Sequence, residues 1–548
     1  GGRQQNKYVA TGTIRMQETR EPAKQRFNAA KCLLLIIAAY LIAATFGLPQ
    51  YGSQLSLASA HHETSTPADA HHGTPTGHHG AHDGDHSHSA AVVAPDFYSV
   101  VPFVLLLGAI AILPLIPATE HWWESNTNRF ILAVVLAGVT LSYYLFFHET
   151  PIEGHWPAHY LAHPSETAVQ FTFAKAVLGN AILAEYVPFI VLLFSLYTIS
   201  GGVRIEGDLR ANPMTNAAFI GAGGLAASLI GTTGAAMVLI RPLLETNKER
   251  KHVVHSVVFF IFVVCNCGGC LLPIGDPPLF LGYLEGVDFW WTLNLWKPWL
   301  FVNGLLLLIY LLIDGYWFFP KETTKDIKRD VTQTRRLRVR GFGLNVPLLF
   351  GVVCAVALLD PSKTLFNTNW HPWMFLREIV QLGLVAISLI FGQRMIREAN
   401  NFSYHAIIEV AVLFLGIFIC MQPALQILSF YGGNLGIDTP TQFFWITGGL
   451  SSVLDNAPTY LVFFKTAQSM DPGEALTVAG VVEPVLVGIS LGAVFMGAMT
   501  YIGNGPNFMV KAIAERSGVR MPSFFGYMFY SCTILLPILA LSVWQFLG

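Results

Sequence analysis

Four short stretches set helix breakers beside oxygen-bearing side chains inside otherwise apolar sequence. They are Gly231-Thr232-Thr233-Gly234, Pro273-Ile274-Gly275-Asp276-Pro277-Pro278, Asp455-Asn456-Ala457-Pro458 and Tyr501-Ile502-Gly503-Asn504-Gly505-Pro506. Pro and Gly interrupt the helical hydrogen-bond ladder and free backbone carbonyls and amides. Freed backbone at membrane depth is tolerated only where it is buried in protein or lines a cavity. Carbonyls next to Thr, Asn and Asp oxygens suit a hard cation such as Na⁺, and the broken helix ends add their dipoles. The bland alternative is kinked helices with Asn and Thr as interhelical glue. It explains one break well and four breaks in two matched pairs poorly.

The expected cation-binding set is therefore Thr232, Thr233, Gly275, Asp276, Asp455, Asn456 and Asn504. Asp276 and Asp455 matter most, because a carboxylate at membrane depth must be paired, protonated or functional. Removal from water favours the neutral form of a carboxyl group and a bound cation favours the charged form. One group can thus trade H⁺ for Na⁺. The competing role for either Asp is to cap a broken helix. Glu409, about one turn into its own span, is a third acid that either carries a proton or sits at the interface. Lys175 and Glu185 read as interfacial. The run Cys265-Asn266-Cys267-Gly268-Gly269-Cys270 matches no standard zinc or ferredoxin spacing, and its small residues suit close helix approach.

These residues need long apolar elements to hold them, and the composition supplies them. The 548 residues are 53% hydrophobic and 12% charged, about half the charge of a soluble domain. Mean hydropathy is +0.50. The seven cysteines form no secreted disulfide framework and there is no basic patch for nucleic acid. Apolar runs predict crossings near 98–118, 130–147, 183–200, 253–282, 298–319, 344–360, 374–392, 405–425, 484–512 and 523–546. Two interrupted segments, 214–244 and 441–468, read as re-entrant hairpins.

Charge orients these spans. Lys321, Lys325, Lys328, Arg329, Arg335, Arg336, Arg338 and Arg340 place the loop 321–341 inside. Arg204 and Arg210 before the first hairpin, and Lys248, Arg250 and Lys251 after it, then also fall inside. Lys465, near the second hairpin, is the one discordant charge. Internal matches complete the pattern. Leu193-Phe194 aligns with Leu413-Phe414, and Ile274-Gly275-Asp276-Pro277-Pro278-Leu279-Phe280 aligns with Ile502-Gly503-Asn504-Gly505-Pro506-Asn507-Phe508, at offsets of 220 and 228 residues. The fold class expected is an all-α polytopic membrane protein of two inverted repeats, each with a re-entrant hairpin and a broken transmembrane helix.

The expected organisation runs from a signal peptide or signal anchor with its N-terminal extension (1–60) to a His-rich external segment (61–97). Then come N-terminal transmembrane helices (98–182), a first repeat (183–320), a basic cytoplasmic loop (321–343), and a second repeat with preceding scaffold helices (344–546). The His-rich segment holds His61, His62, His71, His72, His78, His79, His82, His86 and His88. Imidazoles suit Zn²⁺, but the surrounding Gly, Pro, Thr and Asp equally fit a solvated linker. No cofactor is expected.

Leu272-Pro-Ile-Gly-Asp-Pro-Pro-Leu-Phe-Leu-Gly-Tyr-Leu284, Gly231-Thr-Thr-Gly-Ala-Ala-Met-Val-Leu-Ile-Arg-Pro242, Ser452-Val-Leu-Asp-Asn-Ala-Pro458 and Thr500-Tyr-Ile-Gly-Asn-Gly-Pro-Asn-Phe508 together resemble the NhaD-type sodium/proton antiporters. These belong to the wider ion transporter superfamily with dicarboxylate symporters and arsenite pumps. The resemblance covers about residues 98 to 548. It implies Na⁺ or Li⁺ exchange for H⁺ by an elevator-like mechanism, in a homodimer in the bacterial inner membrane with the His-rich tail periplasmic. In the symporters the hairpin tips read Ser-Asn-Thr; here they read Gly-Thr-Thr and Asp-Asn-Ala. That departure adds an acid and favours proton exchange over a sodium-coupled dicarboxylate or anion symporter, the alternative of the same fold.

Overall fold

A computed structural model describes residues 21–63, 94–165, 167–207, 209–322, 337–364, 368 and 370–548. His71, His72, His78, His79, His82, His86 and His88 lie outside the described residues, and His61 and His62 fall at the end of a helix. The basic loop is described only at its two ends.

The chain is an all-α polytopic membrane protein. Among the described residues, six helices are long and apolar enough to cross a membrane, or eight if each of two bent pairs is one span. The principal helices are α1 (Glu21–Thr45), α2 (Leu48–Glu63), α3 (Val101–Ile112), α4 (Asn126–Phe146), α5 (Phe171–Ser200), α6 (Pro213–Ile230), α7 (Thr232–Thr246), α8 (Val254–Val264), α9 (Pro277–Leu284) and α10 (Trp296–Ile313). They continue with α11 (Phe342–Leu358), α12 (Leu376–Phe391), α13 (His405–Cys420), α14 (Gln422–Tyr431), α15 (Pro440–Ser451), α16 (Asn456–Gln468), α17 (Glu483–Met496), α18 (Gly505–Arg516) and α19 (Phe524–Phe546). Large apolar side chains such as Leu35, Phe46, Tyr316, Phe391, Phe525 and Trp544 face outward. Water would penalise such a surface and lipid would not.

Most expected spans are present, with three differences. The span expected at 183–200 begins twelve residues earlier, at Phe171. It runs through a π segment, Gly179–Tyr186, so Glu185 lies inside a helix rather than beyond its end. The span expected at 405–425 is bent by 44° between α13 and α14, where Pro423 opens the second helix. The N-terminal apolar run forms α1 and α2, bent 70° at their junction. They dock on the segment leading into α12 through Tyr40 Oη to the Met374 carbonyl, 2.9 Å, and Met374 N–H to Ser53 Oγ, 2.9 Å.

The first hairpin is α6 and α7, joined at Gly231 with φ of 77°. Asn216 and Asn247, near its two ends, donate their amides to each other at 2.8 and 3.0 Å, so the segment returns to where it started. The second hairpin is α15 and α16. Both begin with a capping residue followed by Pro: Asn212 accepts from Thr215 N–H, and Thr439 forms a capping box with Gln442. Each hairpin is followed by a broken helix. The first comprises α8, a 3₁₀ turn at Cys267–Cys270 and α9; the second comprises α17, a 3₁₀ turn at Gly497–Met499 and α18. Single cysteines introduced at positions 210 and 248, in a background without other thiols, are expected to react with an impermeant maleimide from one side only, the cytoplasmic one. Reaction of one of them from outside would show that the segment crosses.

Candidate functional site

The broken helices match in their backbone. Asp276 precedes α9 with φ, ψ of −141°, 142°, and Asn504 precedes α18 with −152°, 137°. The residue before each is a glycine in very close contact. A Cβ on Gly275 would collide with the Gly269 carbonyl and lie 3.0 Å from Ser228 Cα. One on Gly503 would lie 2.7 Å from the Gly497 carbonyl and 2.8 Å from that of Ser451. Gly269 and Gly497 are related by the same offset of 228 residues as the glycines they touch. The small-residue reading of the Cys-rich run holds too: a Cβ on Gly268 would sit 2.5 Å from Gly224 Cα, and all three of its cysteines are buried and free.

Where the breaks and hairpin tips meet, Asp276 is 1% exposed. Its Oδ1 accepts from Thr232 Oγ1 at 2.8 Å and from Asn504 Nδ2 at 3.1 Å, and its Oδ2 accepts from Asn456 Nδ2 at 2.7 Å. The donors come from both hairpin tips and from the second break, so one carboxylate ties the two repeats together. Gly275 contributes its carbonyl to Thr232 N–H, 2.8 Å. Asp276 stands at an N-cap position without capping, so the capping role is excluded for it. Four helix N-termini converge here: α7 at Thr232, α9 after Asp276, α16 at Asn456 and α18 after Asn504. Each brings roughly half a positive charge, and together they stabilise an anion at the place Asp276 fills.

Other expected residues take different places. Asp455 does cap: its Oδ1 accepts from Ala457 N–H at 3.2 Å, and it is only partly buried. Thr233 makes no hydrogen bond to the cluster among the described residues. Glu409 pairs with Arg129 at 2.9 Å and makes none either. The pairing separates it from the exchange residues with which it was grouped. Lys465 pairs with Glu285, which neutralises the discordant charge. Among the described residues no three His, Cys, Asp or Glu side chains group to hold a metal.

Two residues the sequence reading left out join the cluster. Asn266 donates to Asn507 Oδ1 at 2.8 Å and its own Oδ1 lies 3.2 Å from Asn504 Nδ2. Asn507 donates in turn to the Gly497 and Thr500 carbonyls, 2.8 and 2.9 Å. The available signal was an amide in an apolar run one residue before a turn, and a second amide one helical turn after a cap.

A family model described as "Putative citrate transport" matches residues 148–547. The chain belongs to this family. Among curated proteins no match is found. As a family member the chain is a multi-pass membrane transporter, a secondary transporter rather than an enzyme. The matched residues contain both hairpins, both broken helices and every residue of the Asp276 cluster, so the family pattern and the transporter's polar centre coincide.

Proposed function

We propose that this transporter exchanges Na⁺ or Li⁺ for H⁺, with Asp276 carrying either ion, by an elevator-like movement of hairpins and broken helices against the remaining spans. One observation carries the reading: a buried carboxylate bonded from both repeats, with only neutral donors, Thr232, Asn456 and Asn504, against it. A neighbouring Lys or Arg would hold it permanently charged and compete with a cation. Neutral amides do neither, and they are reversible. Asn456 Oδ1 is buried without a hydrogen bond. Turning this amide over brings that oxygen to Asp276, where it can accept a proton carried on Oδ2 or ligate a cation. Asp276, Asn456 Oδ1 and the Gly275 carbonyl are the oxygens we assign to the ion. Asp455, near enough to act through its charge, is the second acid.

The test is Na⁺-driven proton movement in proteoliposomes, followed with a pH-sensitive dye. We expect acidification or alkalinisation that saturates with Na⁺ and is indifferent to citrate. Asp455→Asn keeps a good N-cap, so its expected effect is weaker apparent Na⁺ affinity with exchange retained. Unchanged affinity in that variant would remove Asp455 from the ion path.

A second reading, transport of citrate or a related carboxylate, is favoured by the family description and by the four converging N-termini. Against it, Asp276 already occupies the place those N-termini favour for an anion. Citrate-dependent flux without any Na⁺-driven proton movement would establish it over the first. The resemblance of the motifs also leads us to propose a homodimer in a bacterial inner membrane, with the His-rich segment outside.

A further inference from the structure

On the face that the charge distribution assigns to the cytoplasm, a cavity of about 1000 Å³ opens between two walls. One wall is Arg204–Gly207 with Ala399–Asn401. These segments are bound together by the Arg204 guanidinium on the Ala399 carbonyl and by Asn400 Nδ2 on the Gly201 and Val203 carbonyls, 3.0 and 2.9 Å. The other wall is the second arm of the first hairpin, its exit through Lys251, and Ser517–Arg520. Six basic side chains line the space, Arg204, Arg241, Lys248, Arg250, Lys251 and Arg520, against two acids, Glu206 and Glu245.

The acids do not balance the bases. Glu206 is shared by Arg204 at 3.1 Å and Arg340 at 2.8 Å. Glu245 lies 3.8 Å from Lys248. Arg250 is committed to Asp314 and Glu322. Arg241 is partly buried, and among the described residues its one hydrogen bond reaches the Met237 carbonyl of its own helix at 3.5 Å. Arg520 is exposed at the rim, with no ion pair among the described residues. Basic residues on a flat cytoplasmic rim are the ordinary pattern of membrane proteins. A concave space with a partly desolvated guanidinium facing no acid is not, because removing that charge from water without a partner is unfavourable.

We propose that this cavity binds a soluble multivalent anion, gripped by Arg241 and Arg520 on one wall and by Arg204 on the other. The planar donor forks of arginine match phosphate and carboxylate oxygens two at a time, and the volume suits a small multiply charged solute. A flat lipid headgroup layer would meet the rim and leave Arg241 unreached.

Inorganic pyrophosphate is the probe. Titrated into the purified full-length protein in discs of phosphatidylcholine, it is expected to bind saturably. Arg241→Gln and Arg520→Gln should each weaken binding about tenfold, the value of one lost charge-assisted hydrogen bond. Arg520 is exposed, so its variant keeps the fold even if the Arg241 variant does not. Three results would overturn the proposal: no pyrophosphate binding, equal affinity in wild type and the Arg520 variant, or loss of binding when phosphatidylglycerol is added to the discs. The last would make the occupant a lipid headgroup.

Discussion

Asp276→Asn is expected to reduce Na⁺-driven proton flux in proteoliposomes to that of protein-free vesicles while the protein still inserts and folds. The flux falls because an amide neither ionises nor supplies a charged oxygen to a cation. Folding survives for a local reason. The new side chain has the same shape, and its oxygen can still accept from Thr232 and Asn504. Its NH₂ would confront the Asn456 amide, donor against donor, but Asn456 Oδ1 is unpaired and buried. Turning that amide over converts the conflict into a hydrogen bond and satisfies the stranded oxygen. Circular dichroism and size-exclusion behaviour like wild type, with flux abolished, is the expected pair of results. Retained exchange in both Asp276→Asn and the double variant with Asp455→Asn would rule out the mechanism.

Asp314→Ala is expected to have the largest effect on stability, and none of its effect comes through the ion site. Asp314 is completely buried in a π segment after α10. It takes two bonds from Arg250, one from His255 Nε2 at 2.9 Å and one from Tyr310 Oη at 3.1 Å. Removing it leaves Arg250 with a buried charge and only Glu322, 3.7 Å away, to answer it. Breaking a buried pair from one side costs about 3–5 kcal/mol. The variant should melt well below wild type in detergent, and Asp314→Ala combined with Arg250→Met should recover much of the loss. A single variant as stable as wild type would show that water or lipid reaches Arg250.

The hairpins and broken helices were legible because their punctuation is chemical: Gly, Pro and Asn in apolar sequence break helices wherever they fall. Asp276, Thr232, Asn456 and Asn504 were legible for the same reason, since each stands at a break. What escaped depends on contacts between distant segments. Nothing local in Glu409 says that Arg129, 280 residues earlier, will neutralise it. Lys465 looked misplaced until Glu285 was found beside it. Asn266 gains its role only when α18 arrives against it. Asp455 and Asp276 look alike as Asp-before-helix residues; only packing decides that one caps and the other turns inward.

Three spans contain a stretch of π-helix: Gly179–Tyr186 in α5, Asp314–Phe318 after α10, and Ser531–Leu535 in α19. Each carries a polar side chain that reaches another segment. Asn180 donates to the Glu153 carbonyl at 2.9 Å, Asp314 holds Arg250, and Ser531 donates to the Met499 carbonyl at 2.6 Å. A π turn accommodates one residue more than an α turn. Deleting a residue there would restore regular winding, but rotate the rest of the span by about 100°. The lipid-facing side chains would turn inward and the interior ones outward. In evolutionary terms, each such stretch is where a membrane helix has absorbed an extra residue without slipping out of register with its neighbours. Length differences among relatives within these spans are expected to fall at those three places. Wherever the extra residue is missing, the polar side chain should no longer reach the neighbouring segment.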